Sequence, residues 1–272
     1  MFGEWSATAA SVAAHIDDFS TAPWADWCRD AWVLPLVISL AYLLCASRGD
    51  SWLAGRQPSP WRAPLLAWNV LLAVFSAAGA AVMLPTLVAD VRSLGVAELL
   101  CPASGVAGAH FSRGARAAVM LAFMLSKVPE LFDTAFLIAR GRPVTLLHAW
   151  HHASVLTYCW LAYGARSNSG VFFAAMNFVV HAIMYGYFAL QAAGARPRWG
   201  AAVTRLQIAQ MVAGCALVAA SAWLQLAHGR ACEDPRILAA AALIYSSYLV
   251  LFVQFFVAKK AAAGAAAAAK DE

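Results

Sequence analysis

Long apolar runs constrain the fold of this chain more than any other feature of its sequence. They recur from residue 31 to residue 258, and runs of about 20 apolar residues are long enough to cross a ~30 Å hydrocarbon core as helices. The chain is 62% hydrophobic and 12% charged, whereas charged residues make up about a quarter of a soluble domain. The sequence therefore predicts an all-α membrane protein.

The apolar runs predict seven transmembrane helices. Their expected bounds are residues 31–47, 65–90, 116–138, 146–164, 171–191, 202–226 and 237–258. Pro143 and Pro197 fall between spans or in a first helical turn, where proline is tolerated. The pattern divides the chain into an N-terminal segment (1–30), a seven-span domain (31–258) and an Ala-rich tail (259–272). The Asp-rich first segment lacks the pattern of a cleavable signal peptide.

The basic residues between the spans predict the orientation of the chain. Cytosolic loops of membrane proteins carry an excess of Lys and Arg. The larger and more clustered basic set, which we place in the cytosol, comprises Arg48, Arg56, Arg62, Arg140, Arg142, Arg196, Arg198, Lys259, Lys260 and Lys270. The C-terminus is therefore expected in the cytosol and residues 1–30 across the membrane.

The third predicted span carries Lys127, Glu130, Asp133 and Thr134. Their spacing places them along one face of a continuous helix. Ionisable residues at membrane depth are costly and typically functional. A buried ion-pair network that only joins helices would explain the same residues.

The fourth span opens with His148, His151 and His152. Spacings of 3 and 4 place the three imidazoles on one helical face within about one turn. A lone His is typical of a satisfied core residue, whereas three on one face favour chemistry. Imidazoles can bind metal, transfer protons or attack a carbonyl.

Two further spans carry weaker polar patterns. Asn177, His181 and Tyr185 recur every four residues, and Thr204, Gln207 and Gln210 every three, and each pattern alone is also typical of interhelical hydrogen bonding. At 1.5 Å per residue, all four polar groups fall in the cytosolic half of the bilayer. We therefore expect one polar chamber that opens to the cytosol.

Three kinds of protein match these features before any family is considered. The H-x-x-H-H string occurs in membrane di-iron desaturases and hydroxylases, but those enzymes need several His boxes. This chain has seven His, of which His15, His110 and His228 lie outside the predicted spans. A mononuclear metal site remains open on the count of ligands, and a seven-span transporter or receptor matches the topology.

Four ordered motifs resemble the signature boxes of the ELO fatty-acid elongases. They read K-x-x-E-x-x-D-T from Lys127, H-x-x-H-H from His148, N-x-x-x-H-x-x-M-Y from Asn177 and T-x-x-Q-x-x-Q from Thr204. The resemblance extends from about Trp61 to Val257, with modest departures at Phe188 and Met211. It implies seven transmembrane helices, six of them forming a barrel around a narrow acyl tunnel, in the endoplasmic-reticulum membrane.

The resemblance also implies a reaction. An acyl-CoA and malonyl-CoA condense to a 3-ketoacyl-CoA, with loss of CO2 and CoA and without a metal or other cofactor. His151 would form an acyl-imidazole, oriented by His148 and His152 with Asp133 or Glu130. His181 would assist the decarboxylation of malonyl-CoA. The residues implied to bind substrate are Lys127, Thr134, Asn177, Tyr185, Tyr187, Gln207 and Gln210. Arg140 and Arg142 are expected at the mouth of the chamber, where they would pair with CoA phosphates or serve only as positive-inside topology signals.

The family implies partners and a covalent link. The expected partners are the ketoacyl-CoA reductase, dehydratase and enoyl-CoA reductase of the elongation cycle, together with membrane lipid. Nucleic acid is not expected, and a homo-oligomer stays open. A Cys101–Cys232 disulfide on the lumenal side is implied by similar elongases. The sequence around the His box is closer to members that act on saturated and monounsaturated chains.

Overall fold

The chain folds into helices throughout the part that the computed structural model describes, residues 18–52, 61–105, 108, 113–229 and 232–271. Within these ranges the only β pairing is an isolated bridge between Ser20 and Arg113. The helices are α1 (Ala22–Asp30), α2 (Val33–Trp52), α3 (Arg62–Leu94), α4 (Val96–Leu100), α5 (Gly114–Ser126), α6 (Phe132–Ala139), α7 (Leu146–Gly164), α8 (Gly170–Ala192), α9 (Gly200–His228) and α10 (Pro235–Asp271). Arg56, His15 and His110 lie outside the described residues.

Four described helices are long and apolar enough to cross a membrane, namely α3, α8, α9 and α10. The pair α1 and α2 makes a fifth if it counts as one span, bent by 64° at its break. Helix α7 matches the predicted bounds 146–164. Most other helices run past the predicted spans, and α10 continues through the predicted tail to Asp271, because a helix can continue beyond the apolar stretch that defines a span.

The third predicted span, residues 116–138, is not one continuous helix. It is interrupted after Ser126 by a 3₁₀ turn at Pro129–Leu131 that separates α5 from α6. Proline at position 129 has no N–H to donate to Leu125. The nearby backbone instead forms hydrogen bonds between residues three apart, from Lys127 N to Met124 O and from Val128 N to Leu125 O. The prediction of one continuous helix over residues 116–138 was therefore wrong, although Lys127 and Glu130 still meet across the turn at 2.7 Å.

Close helix packing fixes the frame around this break. Helices α3 and α8 approach each other at Gly79, where an added Cβ would collide with the ring of Phe178. Helices α9 and α10 meet in the same way at Gly214 and Tyr245. Small residues allow helix backbones to approach closely in membranes. Helix α7, which carries the His motif, packs against α1, α2 and α10 and so lies between other helices.

Covalent and polar links join the loops at one end of the bundle, which we call the disulfide end. Cys101 and Cys232 form a disulfide there. The side chain of Asn168 accepts from the N–H of Gly108 (2.8 Å) and donates to the carbonyl of Cys232 (2.7 Å). The Glu233 carboxylate, which accepts from the N–H of Ser169 (3.3 Å), is buried, and burial raises the pKa of this carboxyl above its ordinary value. The N-terminus of α7 lies at the opposite end, which we call the His-box end.

Candidate active site

The start of α7 sets the position of the His motif. Thr145 is the N-cap residue, and its hydroxyl accepts a hydrogen bond from the backbone N–H of His148 at 3.2 Å. An N-cap hydroxyl satisfies one of the orphan donors of a helix N-terminus and fixes where the helix begins. His148, His151 and His152 therefore occupy the first two turns of α7.

Two of these imidazoles are held by neighbouring helices. His148 Nε2 is hydrogen-bonded to the hydroxyl of Thr134 at 2.8 Å, and that hydroxyl also meets the phenol of Tyr42 at 2.9 Å. The rings of His148 and His152 lie 4.3 Å apart, and His152 Nε2 is 3.9 Å from a carboxylate oxygen of Asp133. The motif is thus connected to both α2 and α6.

Asp133 accepts hydrogen bonds from two neutral donors on different helices. Trp68 Nε1 donates to one carboxylate oxygen and the phenol of Tyr185 to the other, each at 2.7 Å. A carboxylate in apolar surroundings is costly unless it is hydrogen-bonded. These two donors satisfy that requirement and fix the carboxylate close to His152.

Lys127 and Glu130 form a buried ion pair, with each residue 2% exposed. Lys127 Nζ lies 2.7 Å from Glu130 Oε1, which also accepts from the hydroxyl of Ser126 at 2.8 Å. Lys127 donates to the side-chain oxygen of Asn177 at 3.3 Å and lies 4.3 Å from the ring centroid of Phe123. The pair connects α5 to α8.

The second oxygen of Glu130 faces His181. Glu130 Oε2 is buried without a hydrogen-bond partner and lies 4.0 Å from His181 Nδ1. The ring of His181 in turn packs edge-on against Tyr185 at 5.3 Å. An unpartnered carboxylate oxygen beside an imidazole leaves room for proton exchange or for a polar ligand.

Other residues expected at the site lie apart from this cluster or at its edge. The phenol of Tyr187 accepts from Gln191 (3.0 Å) and its ring packs on Trp199, and the hydroxyl of Thr204 bonds back to the carbonyl of Gly200. Gln207 donates to the sulfur of Met184 (3.3 Å), and Gln210 is buried. Arg140 and Arg142 are exposed in the loop before α7.

The two carboxylates do not approach the imidazole that the sequence analysis expected them to orient. Asp133 lies near His152 and Glu130 near His181, whereas the described ring neighbours of His151 are His152 at 5.4 Å and Tyr248 at 5.0 Å. Three hydrogen-bonding residues at the site, Tyr42, Trp68 and Ser126, were not predicted from the sequence. Tyr42 and Trp68 lie in apolar stretches without a charged neighbour, so no spacing rule indicated them.

Over the described residues, no group of three or more His, Cys, Asp or Glu side chains could hold a metal ion. The polar atoms instead pair with one another across α3, α6, α7 and α8. Among the described residues, two imidazoles, those of His152 and His181, lie beside carboxylates, whereas His148 is bonded to the Thr134 hydroxyl and the ring of His151 has no hydrogen-bond partner.

A small apolar cavity of about 40 Å³ lies beyond the polar cluster, toward the disulfide end. Phe123 borders both regions, because its ring lies beneath Lys127 and also lines the cavity. The other lining residues, from α5, α7, α8 and the loop before α8, are Met120, Met124, Tyr158, Cys159, Ala162, Tyr163, Ser167, Gly170 and Phe173. The polar side chains and the apolar cavity thus lie next to one another along α5, α7 and α8.

Comparisons of the sequence with known proteins identify a family and several relatives. The model of the family described as "ELO: GNS1/SUR4 family" matches residues 27–267. The chain is 36% identical over 233 residues to "Very long chain fatty acid elongase 6" of Drosophila melanogaster, covering 84% of this chain and 72% of the relative. It is 35% identical to the protein of the same name from Gallus gallus, covering 84% and 85%. It is 32% identical to "Fatty acid elongase 3" of Trypanosoma brucei brucei, covering 90% and 89%.

Proposed function

The chain belongs to the ELO (GNS1/SUR4) family, and on that premise we propose that it is a fatty-acid elongase that condenses an acyl-CoA with malonyl-CoA. The products would be a 3-ketoacyl-CoA, CO2 and free CoA. Relatives named as fatty acid elongases support the assignment to elongation. The condensation step itself is our inference from the site.

One observation carries this proposal, namely the polar cluster placed directly above an apolar cavity. Phe123 connects the two, because its ring centroid lies 4.3 Å from Lys127 Nζ and the residue also lines the cavity. A fatty acyl-CoA has the same division, since its thioester is polar and its chain is apolar. Such a substrate would place its thioester near the imidazoles and direct its chain toward the disulfide end, with the cavity widening around it.

The first chemical step would acylate His151. Its unprotonated ring nitrogen would attack the thioester carbonyl, forming a C–N bond while the C–S bond breaks. The imidazole N–H proton would pass to the departing sulfur, giving free CoA and a neutral acyl-imidazole. A covalent intermediate divides one difficult step into two easier ones. His151 fits this step because its ring is not hydrogen-bonded to any described side chain, unlike that of His148.

The second step would transfer the acyl group to carbon. Malonyl-CoA would lose CO2 to give an enolate, which attacks the acyl carbonyl and expels the imidazole. The ring then regains a proton from solvent. His181 and Lys127 lie on either side of Glu130 and could stabilise negative charge on the enolate oxygen. Asp133, held by Trp68 and Tyr185, would keep His152 in place.

Basic loops at the His-box end would bind the CoA phosphates. Arg140 and Arg142 are exposed between α6 and α7, and Arg196 and Arg198 lie in the loop between α8 and α9. Guanidinium groups pair well with phosphates. Reversing the charge at Arg140 and Arg142 should raise KM for acyl-CoA more than the same change at Arg236, an exposed arginine near the disulfide end.

The membrane arrangement is proposed on the same basis. Five spans are described above. Helices α5 and α6, taken together as one broken span, and helix α7 would bring the number to seven, and six of these would surround the acyl tunnel. The His-box end and the C-terminus would face the cytosol, and the disulfide end the oxidising lumen of the endoplasmic reticulum. The reductases and dehydratase of the elongation cycle would take up the product.

The direct test supplies purified, detergent-solubilised protein with radiolabelled malonyl-CoA and a panel of saturated acyl-CoAs. Label in 3-ketoacyl-CoA is the expected result. Absence of that product with every acyl-CoA, together with stoichiometric iron in the same sample, would instead favour a lipid oxidoreductase. Binding of lipid without turnover would favour a transporter or receptor.

The acyl-imidazole is tested by omitting malonyl-CoA. Acyl-CoA alone should release about one CoA per enzyme, and peptide mass spectrometry should find the acyl group on His151. His151→Ala should abolish both signals. A normal rate of condensation in His151→Ala would refute the intermediate while leaving the elongase assignment intact.

A further inference from the structure

The imidazole of His151 is positioned differently from the other two of its motif. His148 is hydrogen-bonded to Thr134, and His152 lies beside the Asp133 carboxylate. Among the described residues, no side chain is hydrogen-bonded to the ring of His151. Its nearest described ring neighbours are His152 and, on helix α10, Tyr248 at 5.0 Å between centroids. The orientation of His151 therefore depends on packing.

Tyr248 is itself fixed by helix α7. It is 3% exposed, and its phenol oxygen lies 2.7 Å from the hydroxyl of Ser154 and 3.4 Å from the carbonyl oxygen of His151. The Ser154 hydroxyl donates to the carbonyl of Trp150, so it must accept from the phenol of Tyr248. The phenol is thus anchored to the helical turn that carries His151.

A second hydrogen bond joins the same two turns. Trp150 Nε1 donates to the hydroxyl of Ser247 at 2.9 Å. Ser247 and Tyr248 are consecutive on α10, and Trp150 and His151 are consecutive on α7. Two adjacent links across one pair of turns restrict sliding and rotation of α10 against α7. The ring of Tyr248 is therefore held as a fixed wall beside the imidazole.

We propose that Tyr248, anchored by Ser154, is a positioning residue that orients the His151 imidazole for attack. This inference rests on the proposed function, in which His151 is the nucleophile. Tyr248 acts through His151 and is not placed in contact with the substrate. Reacting groups must be held in a near-attack geometry, and a misplacement of about 1 Å costs roughly 10²-fold in rate. None of the four signature motifs includes Tyr248.

The test is the Tyr248→Leu variant, measured for steady-state condensation and for CoA release without malonyl-CoA. Loss of the ring should lower kcat and the rate of CoA release by about 10- to 100-fold. KM for acyl-CoA should change by less than about twofold, because the groups that bind CoA are untouched. Tyr248→Phe keeps the ring but loses its hydrogen bond to Ser154, so its rate should lie between those of Tyr248→Leu and the wild type.

Tyr245→Leu is the matched control. Tyr245 lies one turn earlier on α10, is also buried, and packs on Phe173 at 4.5 Å between ring centroids instead of on the His motif. If Tyr245→Leu slows CoA release as much as Tyr248→Leu does, the effect is a general loss of packing and the inference is overturned.

Two further results separate failure of the inference from other failures. A wild-type protein that releases no CoA and makes no 3-ketoacyl-CoA would refute the proposed function, and the inference with it. If Tyr248→Leu does not yield a monodisperse protein, Ser154→Ala takes its place, since it removes only the acceptor of the phenol. A Ser154→Ala protein with unchanged kcat and CoA-release rate would then overturn the inference.

Discussion

The indole of Trp68 donates a 2.7 Å hydrogen bond to the carboxylate of Asp133, although 65 residues separate them in the chain. The bond joins α3, one of the most apolar helices, to the short helix that follows the Pro129 break. A neutral donor that fixes a carboxylate in apolar surroundings offsets the cost of its burial. Residues outside the signature motifs therefore determine how the motif residues are held.

Replacing Trp68 with Phe should destabilise the protein. The ring would remain, but one oxygen of Asp133 would lose its donor at a cost of about 1.5–3 kcal/mol, as for hydrogen bonds to charged groups. Thermal unfolding in one detergent measures the loss as a lower Tm. Trp223→Phe is the control, because Trp223 is 68% exposed on α9. Equal Tm values for the two variants would contradict the expectation.

Replacing Thr134 with Val should lower kcat. Valine has the shape of threonine but removes the hydroxyl that connects Tyr42 to His148 Nε2. Loss of this link should cost roughly 10-fold in kcat through a misplaced His motif, with KM nearly unchanged. Thr86→Val, which loses only a bond to its own helix backbone, serves as the control. A loss confined to KM would indicate direct substrate binding by Thr134 instead.

Reduction of the Cys101–Cys232 disulfide should lower Tm. The bond closes a long loop, since 131 residues separate the two cysteines, and crosslinks of this kind typically contribute about 2–4 kcal/mol. A melt with and without a phosphine reductant measures the shift. The double variant Cys101→Ser/Cys232→Ser should melt low in both conditions. A reductant effect that persists in the double variant would assign the shift to a disulfide other than Cys101–Cys232.

Replacing Glu233 with Gln should stabilise the protein at high pH but not at low pH. Burial raises the pKa of Glu233 above its ordinary value of 4.5, so the folded chain binds this proton more tightly than the unfolded chain. That contribution to stability is complete below 4.5 and is lost as pH rises through the raised pKa. The Tm of the Gln variant minus that of wild type should grow over this window. A difference that is constant with pH would contradict the expectation.

Replacing Gly170 with Val should shift the acyl-CoA preference toward shorter chains. Gly170 lines the apolar cavity, and an added Cβ would lie 3.7 Å from the Met120 methyl group, so there is space for a side chain. The new methyl groups would then occupy the cavity that we assign to the acyl chain. Gly186→Val, on the same helix in open space, is the control. An unchanged profile across the acyl-CoA panel would remove Gly170 from the tunnel.

The sequence predicted the parts of the site that depend on local spacing. The bounds of α7 and the clustering of His148 and His152 follow from helical periodicity, which the backbone enforces. Similar depth in the membrane predicted that the polar groups would share one chamber, and the structure brings Lys127 to Asn177 and Asp133 to Tyr185. Depth along the membrane normal follows from the position of a residue in its span, at 1.5 Å per helical residue.

The remaining features depend on which helices become neighbours. Pro129 lies within an apolar pattern that continues on both sides, so the pattern alone indicated one helix where the backbone breaks. Tyr42, Trp68 and Tyr248 resemble ordinary apolar or aromatic span residues until a carboxylate, a hydroxyl or an imidazole is placed opposite them. Their contacts depend on how each helix is rotated about its own axis relative to its neighbours. The sequence period of one helix does not fix that rotation.

The Cys101–Cys232 bond turns part of the chain into a closed covalent ring. All four signature motifs, from Lys127 to Gln210, lie within it, whereas Tyr42, Trp68 and Tyr248 lie on the arms that enter and leave it. Synthesis proceeds from the N-terminus, so the ring can close only after α5 to α9 have been made. Closure therefore marks the moment in biogenesis when every motif is present, and α10 then brings Tyr248 against His151.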